Sequence, residues 1–341
     1  MRRACTKCRE YWEAQGCDLR GFNVIEAAAD VDEIRRHLGY DEITTWGGSF
    51  GSHWGMAVMR YHPEGVARAV LTGMEGPDHT YDMPSGVLGA LERMAAEAEA
   101  SSILADDLPE DGLIQALRDV IADVEEEPIE IEFGSELIEI GPEDLRDLAL
   151  GYTNRAGSRG GIRTWPADVI ALYRGDFERV ARALRQRRND DSNGLPTASF
   201  FMLDCGSGIS PEREAQLNSD PATAVVGNLG RFYQVACKSW DADLGGEFRA
   251  GFATDIPTVI VHGTWDISTP FENALELLPY FNDGHFIVVE GGTHGALGEA
   301  MRQSEAFKAA LMRFATTGDR SELPTELSLP PNEWAPAHPT N

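Results

Sequence analysis

The sequence predicts an α/β fold: a parallel sheet whose strand–helix alternation is interrupted by a long, mostly helical cap. Three observations carry this. Short apolar runs at 42–46, 66–72, 258–262 and 285–289 have the length and composition of buried strands, with helix-patterned stretches among them. The pentapeptide Gly47-Gly48-Ser49-Phe50-Gly51 separates the first run from a helix-permissive stretch at 52–62, giving strand, tight turn, helix. Between 81 and 250 the alternation stops and helical patterns dominate. The chain therefore divides into a core from 1–80 and 251–320, an inserted cap from 81–250, and a Pro-rich tail from 321–341 that reads as irregular.

Taken in order, residues 4–15 read as a short helix. Asn23 can cap a second helix, in which Ile25, Ala28, Val31, Ile34 and Leu38 recur at helical spacing and Gly39 marks the stop. The strand at 42–46, the helix at 52–62 and the strand at 66–72 complete a βαβ pattern. In the cap, 85–100 and 110–125 are amphipathic. Ile129, Ile131 and Phe133, then Ile138 and Ile140, alternate about Gly134-Ser135 as a hairpin. Pro142 opens another helix, and further helices fall at 166–173 and 175–188. A loop at 189–194 and mixed helices and loops over 211–245 follow. After the strand at 258–262 come a helix at 271–278, the strand at 285–289 and one amphipathic helix at 302–316 stopped by Gly318.

The 341 residues are 42% hydrophobic and 25% charged, with a net charge of −27. Phosphates would be repelled, which excludes a nucleic-acid partner. Lys occurs only at 7, 238 and 308, so the acidic excess reads as a solubilising surface. No stretch approaches the roughly 20 apolar residues of a membrane span. Met1-Arg2-Arg3 is not followed by an apolar signal core, so the chain reads as soluble and cytoplasmic by default, without excluding secretion of a longer precursor. Cys5 and Cys8 form a lone C-x-x-C with Cys17 beyond. No further ligands stand at metal spacing, and ordinary thiols on a short helix are the reading. No metal or cofactor is expected.

G-x-S-x-G between a strand and a helix is the context of a serine held at the apex of a sharp, strained turn, where the residues flanking it at two positions must be small. Ser49 Oγ then stands clear, and the Phe50 N–H points to where an oxyanion forms. A serine nucleophile needs a base, and the base needs an orienting acid. Asp266, in Gly263-Thr264-Trp265-Asp266, lies just past one strand; His294, in Gly291-Gly292-Thr293-His294-Gly295, lies just past the last. Both fall on the sheet edge that carries Ser49, where ligand crevices form in open α/β sheets. His53, on the elbow helix, reads as a residue that supports the site from behind or simply packs. His79, at the mouth of the cap, and Trp265, beside the acid, are the candidate substrate contacts.

With these residues the chain resembles the α/β-hydrolase superfamily, and more narrowly its proline iminopeptidase and tripeptidyl aminopeptidase branch. The resemblance is carried by Ala28-Ala29-Asp30, Ile34 to Tyr40 and Gly47 to Gly51. In the cap it is carried by Trp165 to Ile170 with Gly175-Asp176, by Cys205 and by Cys237-Lys238-Ser239-Trp240, and near the end by the segments holding Asp266 with Thr269-Pro270 and His294. It implies an α/β-hydrolase fold, a Ser49–Asp266–His294 triad, and Phe50 N–H as one oxyanion donor. It also implies that Cys205 and Cys237 lie close together, as a disulfide if the protein is exported. In that branch a His-Gly-Gly-Pro-Gly-like loop before the elbow supplies a second oxyanion donor. None precedes Ser49 here, so the second donor is expected from a longer precursor, another chain or the cap; an aminopeptidase of the proline iminopeptidase type and a catalytically silent binding or assembly module are the alternatives.

The branch also grips the substrate's free amine with cap carboxylates, one just after the cysteine matching Cys205. Here that stretch is Gly206-Ser207-Gly208, with Asp204, Glu212 and Glu214 only nearby. The expectation is a serine hydrolase favouring short acyl esters over amino-acid anilides, since an unpaired buried ammonium is costly. The strand at 42–46 is expected at a sheet edge, which invites pairing with another chain. A homodimer is expected, with the N-terminal helix helping to cover the gap.

Overall fold

The computed structural model describes residues 1–133, 136–146, 159, 161–188 and 196–338. The expected turn at Gly134-Ser135 and the loop at 189–194 lie outside the described residues. The first elements are α1 (Arg2–Ala14), α2 (Val24–His37), β1 (Ile43–Gly48), α3 (Phe50–Tyr61) and β2 (Val66–Thr72). Asn23 caps α2 as expected, its Oδ1 accepting from Ile25 N at 2.9 Å and Glu26 N at 3.1 Å. The inward face of α2 differs from the one read from its periodicity. Val24, Ala28 and Asp32 are buried, while Ile34 and Leu38 are 59% and 62% exposed. The last turns present Asp32 inward, where Arg35 (2.8 Å) and Arg36 (2.9 Å) neutralise it. Apolar spacing alone does not reveal a buried ion pair.

Between β2 and the next core strand run α4 (Pro84–Glu99), α5 (Gly112–Glu126) and an antiparallel hairpin of β3 (Ile129–Phe133) and β4 (Glu136–Ile140), paired from Ile129↔Ile140 to Phe133↔Glu136. Residues 142–146 are helical. Then come α6 (Trp165–Tyr173), α7 (Glu178–Arg188), α8 (Ala198–Ser207), α9 (Pro211–Ser219), α10 (Thr223–Val226), α11 (Arg231–Ala236) and α12 (Gly245–Arg249). Most of this excursion has its own apolar core, in which Leu91, Leu117, Ile138 and Trp165 are buried together. A disulfide joins Cys205 on α8 to Cys237 just past α11.

The core resumes with β5 (Thr258–Gly263), α13 (Phe271–Leu277), β6 (Gly284–Glu290), α14 (Ala296–Gln303), α15 (Glu305–Thr317) and β7 (Glu326–Ser328). The single helix read at 302–316 is in fact two. Ser304 ends one and caps the next, its Oγ accepting from Phe307 N at 3.1 Å. Among the described residues the tail is irregular as expected except at β7, which adds a short strand parallel to β6, with Val288↔Glu326 to Glu290↔Ser328 in register. Trp334 beyond it is buried on Trp265.

All pairings in the five-stranded sheet are parallel, in the order β1-β2-β5-β6-β7. Parallel strands present all their C-terminal ends on one edge, so Ser49 after β1, Asp266 after β5 and His294 after β6 emerge together. β1 is the outer strand, with Trp46 43% exposed. Helix α1 does not cover it. Cys5 is buried with Phe201, Met202 and Trp240, and Ser239 Oγ donates to Arg2 O at 3.2 Å. The apolar partners available to α1 lie beside α8 rather than along β1. Among the described residues no helix is long and apolar enough to cross a membrane.

Candidate active site

Ser49 is the only non-glycine described residue with positive φ, at φ 57° and ψ −133°. That backbone is strained for any L side chain. It is held because Ser49 N donates to Thr72 O (3.1 Å), and Ser52 N to Ser49 O (2.7 Å). Gly47 is sterically obligatory, since a Cβ there would stand 2.0 Å from Gly51 O. Gly51 is not, which corrects the expectation that both flanks must be small: a Cβ at 51 would meet nothing within 4 Å. The strand-to-helix approach is closest on the side of residue 47. Phe50 is the first residue of α3, so its N–H has no intrahelical acceptor and sits at the positive end of the helix dipole.

Asp266 is buried and fully hydrogen-bonded. Oδ1 accepts from Ser268 N and Thr269 N, both at 2.9 Å, Oδ2 accepts from Thr269 Oγ1 at 2.9 Å, and His294 Nδ1–H straddles the two oxygens, 3.0 Å from Oδ2 and 3.1 Å from Oδ1. With Nδ1 donating to the carboxylate, Nε2 of His294 keeps its lone pair, the state a general base needs. Burial disfavours the imidazolium, but the hydrogen bond and charge of Asp266 outweigh it and raise the His294 pKa. Burial likewise opposes the Asp266 charge, and His294 overrides this to hold its pKa low.

Gly73 is the joint between the two halves. It follows Thr72, whose carbonyl holds Ser49 N. A Cβ at 73 would be 3.0 Å from His294 Cε1, and its φ of +51° suits glycine. Ser49 Oγ makes no hydrogen bond to a described residue, and neither does His294 Nε2.

Two positioning groups escaped the sequence reading. Glu299 accepts from Thr293 N and Thr293 Oγ1, both at 2.9 Å, which steadies the loop carrying His294. Thr269 touches both Asp266 and His294 Nδ1 (3.2 Å). Only Thr269, in the Thr269-Pro270 pair after the acid, left a sequence signal.

A cavity of about 500 Å³ opens beside Ser49 and Phe50. His79 lines it, with Nε2 3.1 Å from Glu276 Oε2. Trp265 does not line it. It is 4% exposed, packed between Trp334 and the Arg159 guanidinium, because the turn that presents Asp266 directs its neighbour into the core. The lining carries three carboxyl groups, Glu75, Asp82 and Asp204, and no Lys or Arg. Asn273 Nδ2 donates to Asp82 (3.2 Å), and Tyr233 OH to Asp204 (2.9 Å). Arg213 nearby is engaged by Glu276 at 2.8 Å.

Burial pushes Asp82 up to about 8, opposed by the Asn273 hydrogen bond and assisted by the Asp266 charge. Asp204 is pushed up to about 6 by burial, against its bond from Tyr233. Glu75 is raised well above the carboxylate range by burial and by the charges of Asp82 and Asp204. Among the described residues one group, Asp32, His62 and Glu64, brings three potential metal-ligand atoms together, but Arg35 and Arg36 already neutralise Asp32.

A stability prediction follows from these carboxyls. A group whose folded pKa exceeds its unfolded value holds a proton in the folded state that the unfolded chain releases, so stability falls as pH rises between the two values. For Asp82 that window runs from 3.8 to about 8. Asp82→Asn removes the charge and is expected to flatten the fall in Tm across this window, raising Tm most at its alkaline end. Thermal melts of both proteins across pH check this, and an unchanged slope in the variant would refute it.

A family model described as alpha/beta hydrolase fold matches residues 6–102, and one described as TAP-like protein matches residues 222–325. No curated protein matches the chain. Among solved structures it is similar to an esterase from Exiguobacterium antarcticum, at 13% identity over 87% of this chain and 75% of that one, with a TM-score of 0.36. An epoxide hydrolase from an endophytic Streptomyces gives 14%, 92%, 79% and 0.37. A meta-cleavage product hydrolase from Pseudomonas fluorescens IP01 gives 12%, 87%, 73% and 0.36.

Proposed function

Starting from a chain that belongs to the α/β-hydrolase superfamily, with a TAP-like C-terminal part, we propose a serine hydrolase that removes amino-acyl groups bearing a free amine from short peptides or amino-acid esters. In this reading Ser49 Oγ attacks the carbonyl carbon while His294 Nε2 takes its proton, and Asp266 stabilises the imidazolium that forms. The Phe50 N–H faces the developing oxyanion. His294 returns the proton to the leaving amine or alcohol, and water then releases the acyl group from Ser49.

One observation carries the choice of substrate: three carboxyl groups line the cavity beside Ser49 with no Lys or Arg among the lining residues. Buried carboxyls without a counter-charge are held protonated at a cost, and an incoming ammonium lets them ionise in place. This argues against the ester bias that Gly206-Ser207-Gly208 suggests, because Glu75 and Asp82 supply from the loop after β2 what that stretch lacks.

The expected result is faster cleavage of alanine p-nitroanilide than of its N-acetylated form, with the difference mainly in KM. A charge-assisted pairing removed from a buried site is worth about tenfold or more. Steady-state kinetics on the two substrates decide it. Equal rates, or preference for the acetylated one, return the assignment to a simple esterase.

A further inference from the structure

His53 lies four residues beyond Ser49 on α3 and is 2% exposed. Its Nδ1–H donates to Gly76 O at 3.0 Å, which makes Nε2 an acceptor for the Ser207 hydroxyl at 2.8 Å, a proton for which Leu203 O, 3.0 Å from Ser207 Oγ, is the other acceptor in reach. Each partner sits beside a carboxyl of the cavity. Gly76 directly follows Glu75. Ser207 is three residues past Asp204 on α8, one helical turn along the same face. Ser52, next to His53, holds the same loop, its Oγ accepting from Glu75 N at 2.9 Å. The imidazole is seated among rings, with Phe50 at 5.4 Å and Phe248 at 5.7 Å between centroids. Burial lowers its pKa to about 4, so it stays neutral and its two nitrogens keep opposite roles.

We propose that His53 is a positioning residue for substrate selectivity: it ties the loop bearing Glu75 and the helix bearing Asp204 to the elbow helix, and so sets the distance from Ser49 at which a substrate ammonium is held. This rests on the reading that the carboxyls receive an amine. A single imidazole between two backbone segments fixes their spacing because one nitrogen must donate and the other accept. A packing residue of equal volume would fill the space without fixing that register.

His53→Phe keeps the aromatic seat and removes both hydrogen bonds. Ser207→Ala removes one and leaves His53 in place. Three readouts separate positioning from mere structural support: KM for alanine p-nitroanilide, kcat on p-nitrophenyl acetate, and the rate at which a fluorophosphonate labels Ser49. The expectation for His53→Phe is a rise in KM for the free-amine anilide of about tenfold, the effect of removing a buried hydrogen bond. Ester turnover and labelling should stay near wild type, and Ser207→Ala should shift the same KM by less. If His53→Phe misfolds, Ser207→Ala still carries the test. An unchanged anilide KM in Ser207→Ala, or a uniform fall of all three readouts, overturns the proposal while the amine reading stands. If the wild-type protein itself shows no preference for a free amine over its N-acetylated form, the amine reading fails and this proposal with it.

Discussion

Ser49→Ala is expected to abolish hydrolysis, with kcat down by about 10⁵–10⁶ and the fold intact. The loss is large because Ser49 is the only group at the elbow apex that can form the acyl-enzyme; the remaining oxyanion donor and cavity can only bind. The fold should survive because Ser49 Oγ supports nothing else: it has no hydrogen-bond partner among the described residues. Its strained φ of 57° is tolerated about as poorly by alanine as by serine, so the exchange is neutral for the backbone. Turnover and fluorophosphonate labelling should vanish together while the melting temperature holds. Undiminished turnover, with contaminating hydrolases excluded, would end the assignment of Ser49.

Asp266→Asn is expected to cost about 10⁴ in kcat with little change in KM. Asparagine can still accept from Ser268 N and Thr269 N at the position of Oδ1, so the turn should keep its shape. What it cannot do is accept from every donor at Oδ2, where Thr269 Oγ1 and His294 Nδ1–H converge. An amide NH₂ placed there faces His294 Nδ1 as a donor and selects the tautomer whose Nε2 carries the proton. That tautomer cannot take the proton of Ser49. The charge that raises the His294 pKa is lost as well. His294→Ala should be comparably damaging, and either change combined with Ser49→Ala should add almost nothing, because the three act as a unit. Single- and double-variant kinetics measure this. Wild-type kcat in Asp266→Asn would mean that the orienting acid is another residue.

Four of the five strands of the parallel sheet, the elbow and the three residues proposed for catalysis were legible in the sequence. Apolar runs bounded by glycine punctuate a parallel sheet, and a serine, an aspartate and a histidine each just past such a run can only emerge on one edge. Local chemistry also placed the Asn23 cap and the hairpin pairing Ile129 with Ile140, because both depend on residues close in the chain.

What failed depended on partners far away in sequence. Trp265 stands next to the acid but is packed under Trp334, which the tail delivers from nearly 70 residues downstream. Ile34 and Leu38 keep helical spacing yet face out, because Asp32 takes the inward place with two arginines. Three residues of the tail became a strand because β6 offered them an open edge. Substrate selectivity depends on distant partners in the same way. Gly206-Ser207-Gly208 has no carboxyl, and its serine is engaged by His53. The carboxyls that meet at the cavity come instead from residues 75 and 82 after β2 and from residue 204 on α8, more than 120 positions apart. By itself the sequence determined which residue types stand at the strand ends, since backbone periodicity and turn sterics act over a few residues. Which side chains share the cavity was decided only by tertiary packing, because burial, charge and hydrogen-bond satisfaction sum over neighbours the linear order does not bring together.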